Sequence, residues 1–517
     1  MKTMSINYSL MKATCLVAIL ALGFSSCKKK DKSTDSGSSN ASTTEVSGEI
    51  NTDTHWTADQ HPLLKGFVYV TAGHTLTIDA GTIVKGDKIT KGTLIVEPGA
   101  KLIAIGTAAK PIIFTSNLDA GLRNYGDWGG VILCGSAKNN WQAAPYNDGG
   151  THSGSIPVGQ GQVEGGPRTI YGGNDDADNS GTLQYVRIEF GGIAFSPNNE
   201  VNGLTLCSVG TGTTIDHIQV SWSGDDAIEW FGGSVNTKYI IAHRAWDDDF
   251  DTDNGFHGNM QYGIIYRAPF AADQSGSHSL ESDSRNEDAI ATPLTTPVFT
   301  NITLVGPFSD TSKSAVGTNC SGNFVCGEVV RRSSSLSLIN SIMIGYPLGV
   351  IVDEDPAKGS TVSNIVSGGL EFKSNAVVGL GGGTNGATGR KSVVVSRLND
   401  PHSAPNSTSN TLSDSAAADV NWSTATGPLT WFAANNSYGT SEGKSSKLTA
   451  PFNELALDVT PGTGSKVLSG WSPNTSDSKI TGSFFDAATF IGAVGTTNWA
   501  TGWTNFNPQA ADYGSAY

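Results

Sequence analysis

Short runs of alternating apolar and polar residues recur along the chain between glycine-bearing corners. Shifted by 26 residues, Val68, Val70, Gly73, Leu76 and Ile78 fall on Leu94, Val96, Gly99, Leu102 and Ala104. Further on, a shift of 22 places His217-Ile218-Gln219-Val220 on Tyr239-Ile240-Ile241-Ala242. Period-two alternation rich in β-branched and aromatic residues predicts strands, and no helical periodicity competes with it. Such runs lie at 67–70, 75–78, 93–96, 101–104, 112–115 and 130–133. They continue at 184–190, 217–221, 239–243, 262–266, 300–305, 336–344 and 374–378. A period of 22 to over 30 residues built this way predicts an all-β solenoid, each coil burying its apolar side against the next. The excess residues at 191–201 and 269–297 must loop out from corners, where solenoids build binding sites.

The polar positions repeat too. In the 22-residue register Asp225, Asp226, Ile228 and Glu229 stack on Asp247, Asp248, Phe250 and Asp251. Carboxylates one strand spacing apart, about 4.8 Å, repel unless a cation or a basic side chain lies between them. The stretch Asp249-x-Asp251-x-Asp253-Asn254-Gly255 sets oxygen ligands at alternate positions before a turn glycine, as a calcium loop does. The glutamate that completes an EF-hand is missing and no helices flank it. The expected ligand set for Ca²⁺ is therefore Asp225, Asp226 and Glu229 from one coil with Asp247, Asp248, Asp249, Asp251 and Asp253 from the next. The competing reading is a solvated acidic edge. A second acidic stretch at 174–179 reads as a turn.

Trp222, Trp230, Phe231 and Trp246 neighbour the same acids. Flat rings beside carboxylate acceptors suit a sugar face, while burial in the solenoid is the plainer role for any one of them. A lyase would need a base beside the cation, and Arg244, His243 and His257, with Arg267, are the basic residues nearest in sequence. Lone His and Arg residues beside acids more often form ion pairs, and no motif fixes their roles. His278, Glu281, Asp283, Arg285 and Glu287 read as a solvated loop.

The ends refine the picture. Lys2 and Lys12 precede an apolar run at 15–24, too short to span a bilayer, which predicts a secretory signal over 1–26. Phe24-Ser25-Ser26-Cys27 resembles a bacterial lipobox, with Cys27 as the acylated first residue of the mature chain. Residues 27–45 read as a flexible tether, 46–398 as the β-helix and 399–420 as a surface loop. Residues 421–517 read as the last coils and an aromatic-rich C-terminal cap containing Trp499 and Trp503, because an open solenoid end exposes unpaired edges. The net charge of −15 becomes −17 once a signal with two lysines and no acid is removed. Such a body repels nucleic acid. Cys134 and Cys207 read as buried thiols, and Cys320 with Cys326, bracketing a short loop outside the cytoplasm, as a local disulfide. There is no phosphate-binding loop ahead of a helix and no nucleophile elbow.

Several phrases carry a family resemblance. They are Ala72 to Ile78, Gly126 to Gly130, Tyr185 to Glu189, Asn202 to Leu206, Asp225 to Gly233 and the final Asn498 to Thr504. Together they resemble the Bacteroidetes-type outer-membrane lipoproteins built as right-handed parallel β-helices of pectate-lyase-like form; a spirochaete outer-membrane lipoprotein family looks similar. The resemblance implies a lipid-anchored right-handed parallel β-helix in the outer membrane and supplies no settled activity. The favoured reading is a non-catalytic, calcium-stabilised protein that binds a glycan or an outer-membrane receptor. A Ca²⁺-dependent polysaccharide lyase or hydrolase comes next, then a structural or adhesive surface protein or an accessory to a TonB-type receptor.

Overall fold

The alternation read along the chain builds three columns of parallel strands that wind round a shared core. The computed structural model describes residues 42–145, 155–165, 168–196, 199–285, 291–309, 320–354, 359–379, 394–398, 428–439 and 446–514. Within them 26 strands join one sheet whose pairings are all parallel, which makes the chain a parallel β-helix. The signal, Cys27, most of the tether and the 399–420 loop lie outside the described residues.

The first face runs through Thr54–Trp56, Thr75–Ile78 and Lys101–Ile105 to the opening halves of Gly181–Glu189, Thr214–Ser221, Thr237–His243, Asn259–Tyr266 and Val298–Val305. The closing halves of those same strands form the second face, below Ile83–Gly86 and Ile112–Ser116 and above Ile342–Ile344 and Ala376–Val378. The third face stacks Thr93–Val96, Gly130–Cys134, Leu204–Cys207, Ile228–Phe231, Phe250–Asp253, Ser277–Asp283, Phe324–Arg331 and Val350–Glu354. The corner between the first two faces is one residue in the left-handed region: Tyr185, His217, Tyr239, Tyr262, Asn301, Asn340 and Ser374 have φ of 51°, 53°, 58°, 66°, 57°, 54° and 54°. Four of these put rings outside in a continuous stack, with centroid spacings of 4.3, 4.4 and 5.0 Å from Tyr185 through His217 and Tyr239 to Tyr262. Stacked aromatic rings recover part of the strain of left-handed backbone at residues with a Cβ.

The sequence-derived registers hold. Val68 pairs with Leu94 and Leu76 with Leu102, while Ile218 pairs with Ile240 and Glu229 with Asp251. Two expectations are corrected. The 269–297 stretch is not only a loop, since Ser277–Asp283 is a buried strand of the third face. Cys320 and Cys326 are not bridged: they are buried thiols in separate apolar clusters, and their sulfurs donate to the carbonyls of Ser321 and Glu328. The spacing that suggested a disulfide instead carries the chain into Phe324–Arg331. Cys134 and Cys207 are buried thiols, as expected, and pair across adjacent coils.

Inside the solenoid the third face supplies Leu204, Leu206, Ile228, Trp230, Phe250, Leu280, Val330, Val350 and Val352 to the main core. Glu328 breaks this pattern. It pairs with Leu280 in one coil and Val350 in the other, is fully buried, and neither carboxylate oxygen meets a hydrogen-bond donor. Burial alone pushes its pKa up to about 8. Replacing Glu328 with Met, of similar length, is expected to stabilise the protein by about 1–3 kcal/mol near pH 5, where the orphaned polar group is removed. At pH 9 ionisation of the native carboxyl adds about 4 kcal/mol to that difference, since each tenfold gain in proton affinity on folding is worth about 1.4 kcal/mol. Denaturant unfolding at the two pH values tests this, and equal stabilities at pH 9 would rule it out.

The aromatic-rich C-terminal segment covers the solenoid lengthwise rather than closing its end. From Asn474, clamped to Asn340 by two hydrogen bonds of 2.7 and 2.8 Å, it passes back over the coils towards the N-terminal ones. Gln261 grips the backbone of Asp486 and Gln219 that of Asn505, each donating and accepting once at 2.7–2.9 Å. The strap brings Ile491, Ala493, Val494 and Trp503 against the outward residues of the second face, among them Ile241, Ile264, Val305, Ile342 and Ile344. It finishes with Tyr513 packed on Ile83 and Ile113, its hydroxyl donating to Glu189 at 2.8 Å. The second face has apolar residues on both sides, so a cover is what its sequence requires.

Candidate functional site

Among the described residues no strap covers the middle coils of the third face, where the outward positions carry acids; on the earlier coils the outward Ile95, Ile132, Cys134 and Cys207 are apolar and pack with Val163, Tyr171, Ile193 and Val201. Residues alternate across each strand, so Phe250 and Thr252 point into the core while Asp251 and Asp253 point out. Glu229, Asp251 and Glu281 are stacked on three successive coils by direct pairing. Phe231 pairs with Asp253, and Asp283 pairs with Arg331 further along. The preceding corner repeats the pattern: Asp226 Oδ1 accepts from the backbone N–H of Asp248 at 2.7 Å, and Asp248 Oδ1 from that of His278 at 2.5 Å. Each corner carboxylate thus ties its coil to the next, which gives Asp226 and Asp248 a structural task and leaves each a second oxygen.

These groups enclose a cavity of about 340 Å³. Its carboxylates are Asp225, Asp226, Glu229, Asp247, Asp248, Asp251, Asp253, Glu281 and Asp283, with Glu164 as a tenth on an exposed turn. Against ten carboxylates stand three guanidinium groups, those of Arg285, Arg331 and Arg332. Arg331 Nε meets Asp283 Oδ1 at 2.7 Å and its NH2 meets Glu281 Oε1, while Arg332 meets Asp283 Oδ2. Arg285 donates to the carbonyl of Asn140 and lies over the Trp141 ring. Trp141 and Phe231 are the aromatic walls.

The electrostatics follow from crowding. Burial first, and then neighbouring carboxylates, push Asp225, Asp226, Glu229, Asp248 and Asp251 well above the usual carboxylate range. The same causes take Asp247 to about 6 and Asp253 to about 8. Burial would lower Arg331, but Asp283 and Glu281 outweigh it and hold the guanidinium firmly protonated. Asp251 Oδ1 is buried without a hydrogen-bond partner. Among the described residues three groups have donor atoms within 4.8 Å of one another: Asp225–Asp226–Asp247, Asp226–Glu229–Asp251 and Asp248–His278–Glu281.

Seven of the eight acids expected from sequence line this cavity. Asp249 does not: it is fully buried, 3.3 Å from the buried Arg267, and accepts from Ser279 at 2.9 Å. The alternate-position loop expected from Asp249 to Gly255 is for the most part a strand, so cation ligands can come only from stacked coils. The tryptophans are not brought to the site. Trp230 is in the core between Phe250 and Phe256, and Trp222 and Trp246 pack on Tyr125 beyond the corner. Neither are the candidate bases. Arg244 lies over Trp222 and pairs with Glu454 of the C-terminal segment at 2.7 Å. His243 is buried beneath that segment, bonded to the Glu454 carbonyl, with its pKa pushed by burial down to about 3. His257 approaches Asp176 at 3.6 Å, in the acidic turn at 174–179, which Lys138 also neutralises. The residues sequence reasoning passed over are Glu281, Asp283, Arg331 and Arg332. A shift of 30 residues, stacking Asp251 and Asp253 on Glu281 and Asp283, would have found the first two.

Three parallel strand columns, with an acidic cavity on the outer side of one, define a pectate-lyase-like β-helix. The chain belongs to the family described as the pectate-lyase like beta helix domain, whose model matches residues 48–427. No curated protein matches the chain. Among solved structures it is similar to the Dettilon tailspike protein gp208, at 11% identity and a TM-score of 0.22, over 68% of this chain and 57% of that one. The chain thus spans 57% of the tailspike's length.

Proposed function

We propose that this chain is an outer-membrane lipoprotein, anchored through Cys27, whose acidic cavity holds calcium and presents a cation-bridged surface to a glycan or a partner receptor. The observation that carries the reading is the carboxylate ladder Glu229–Asp251–Glu281 on three paired coils. Were all ten of the cavity's carboxylates ionised, seven negative charges would remain against its three arginines. Hard divalent cations with oxygen ligands relieve that repulsion most directly. The Trp141 and Phe231 walls supply apolar surface for a sugar ring beside hydrogen-bond acceptors.

Arg331 and Arg332, facing the same cavity, favour a second reading as a cation-assisted polysaccharide lyase. Two features weigh against it. Both arginines are committed to Asp283, and Arg331 is held protonated, so it is not poised to take a proton.

Calorimetric titration of Ca²⁺ into the chelator-treated full chain tests the proposal. Saturable binding is expected, with Asp251→Asn weakening it by about tenfold or more because a charged ligand is lost. A panel of neutral and acidic polysaccharides, with product detection, is expected to give Ca²⁺-dependent retention without cleavage. Unsaturated products would transfer the chain to the lyase reading, and no Ca²⁺ binding at all would dismiss both.

A further inference from the structure

His278 breaks the acid ladder with a nitrogen donor. By the register that stacks Phe250 on Leu280, it occupies the place that Asp248 holds one coil earlier and Asp226 two coils earlier. Its Nδ1 lies 3.3 Å from the Asp248 carboxylate and 3.1 Å from Glu281 Oε2. All three side chains are at least nine-tenths buried, with exposures of 4%, 4% and 7% for Asp248, His278 and Glu281. Asp248 and Glu281 also line the cavity, so the group is open to ions entering there.

We infer that Asp248, His278 and Glu281 form a mixed nitrogen–oxygen site for a first-row transition-metal dication, distinct from the two all-oxygen groups beside it. The inference rests on the cation-holding reading of the cavity and assigns this corner of it a different metal. Donor spacing is the first argument. Ligands about 2.0–2.2 Å from a metal stand about 3.0–3.4 Å apart along the edges of an octahedron or tetrahedron, and the two separations from Nδ1 fall in that interval. Calcium takes oxygen at about 2.3–2.6 Å, whereas imidazole beside carboxylate suits zinc, iron or nickel.

Orientation is the second argument. Arg331 occupies Glu281 Oε1 and leaves Oε2 towards the imidazole. The His278 N–H holds Asp248 Oδ1 at 2.5 Å, and both oxygens of that carboxylate lie 3.3 Å from the same ring nitrogen. Each carboxylate is therefore held against Nδ1 by a partner outside the trio of side chains, which is how outer groups orient metal ligands. The all-oxygen groups Asp225–Asp226–Asp247 and Asp226–Glu229–Asp251 have no such nitrogen. The competing state is the His278 ring bonded directly to the two side chains, which would fill the corner without a metal.

The test is Co²⁺ titration of the metal-free full chain with Ca²⁺ held saturating, read by visible d–d absorption and by competition with Zn²⁺. One equivalent of Co²⁺ with ligand-field bands, displaced by Zn²⁺, is expected. His278→Gln should weaken it more than about 100-fold, since losing even an outer-shell partner costs about 10–100-fold. The same variant should keep its Ca²⁺ binding, which separates failure of this site from failure of the calcium reading. Should His278→Gln not fold, Asp248→Asn is expected to give the same loss. No Co²⁺ bands in the Ca²⁺-loaded wild type, or unchanged bands in a folded variant, would overturn the assignment.

Discussion

Stripped of divalent cations, the protein is expected to become less stable as the pH rises from about 4 to about 8. A carboxyl whose pKa is higher in the folded than in the unfolded chain binds its proton more tightly when folded. In that window the folded state carries more protons, so stability falls as pH rises, by about 1.4 kcal/mol for each tenfold gain in proton affinity on folding. The window runs from ordinary carboxylate values to about 6 for Asp247 and about 8 for Asp253, with Asp226, Glu229, Asp248 and Asp251 also displaced upward. Because these groups raise one another, they titrate together over a broad range. In the proposed calcium-bound state the ion takes over from the protons as the neutralising charge, and a site filled to a thousand times its dissociation constant contributes about 4 kcal/mol. Thermal melts at pH 5 and pH 8, with chelator and with Ca²⁺, are expected to show a larger fall in midpoint at pH 8 in chelator than in Ca²⁺. Glu328 leaves a slope of the same sign in both, because its buried carboxyl lies away from the ladder and Ca²⁺ does not touch it. A chelated protein that grows more stable towards pH 8 would contradict the buried ladder.

Truncation before Asn474 is expected to abolish recovery of folded protein. The strap contributes Ile491, Val494 and Trp503, exposed by 1%, 2% and 1%. Burial of three such side chains is worth about 5–9 kcal/mol, comparable with the whole stability of an ordinary domain. Losing the strap also bares Ile241, Val305 and Ile344 on a face already apolar within. A milder variant keeps the test informative: Trp503→Ala should lower stability by about 3–5 kcal/mol, since it empties a site packed on Tyr185 and His217. Circular dichroism and denaturant midpoints are the readouts. A truncated chain with the wild-type midpoint would mean that the second face needs no cover.

The fold was legible in the sequence where a strand's inward residues were aliphatic and its neighbours repeated at constant spacing. The 26- and 22-residue shifts gave true partners because no insertion separates those coils. The first two faces were read well. Each coil there places about eight residues in one strand with a single-residue corner, long enough for alternation to register. The third face faded after Gly130–Cys134, because its strands shrink to four residues with acids at the outward positions, residue types that disfavour strands. Ser277–Asp283 is longer, but all of its residues except Leu280 are polar or charged, so it looked like a solvated loop. Six acids of the site were found by stacking and Asp253 by the alternate-position reading, whereas sorting Asp249 and Trp230 into the core required knowing which way each residue of the corner and strand points. The strap was visible only as aromatic residues. Its path along a flank depends on Asn and Gln side chains spread over some 120 residues of solenoid, a relation no local pattern encodes.

A plain solenoid is a row of dominoes, in which each coil feels only its neighbours and the ends fray independently. The lengthwise strap changes that connectivity. It fastens the coil at Asn340 and the coils at Ile83 and Ile113 to one continuous stretch of backbone, so opening at either end must break contacts at the other. Amide protons of the first and last coils should therefore exchange with closely matched protection rather than in a gradient from end to end. Because the latch follows the coils in chain order, every coil it fastens emerges before it can close.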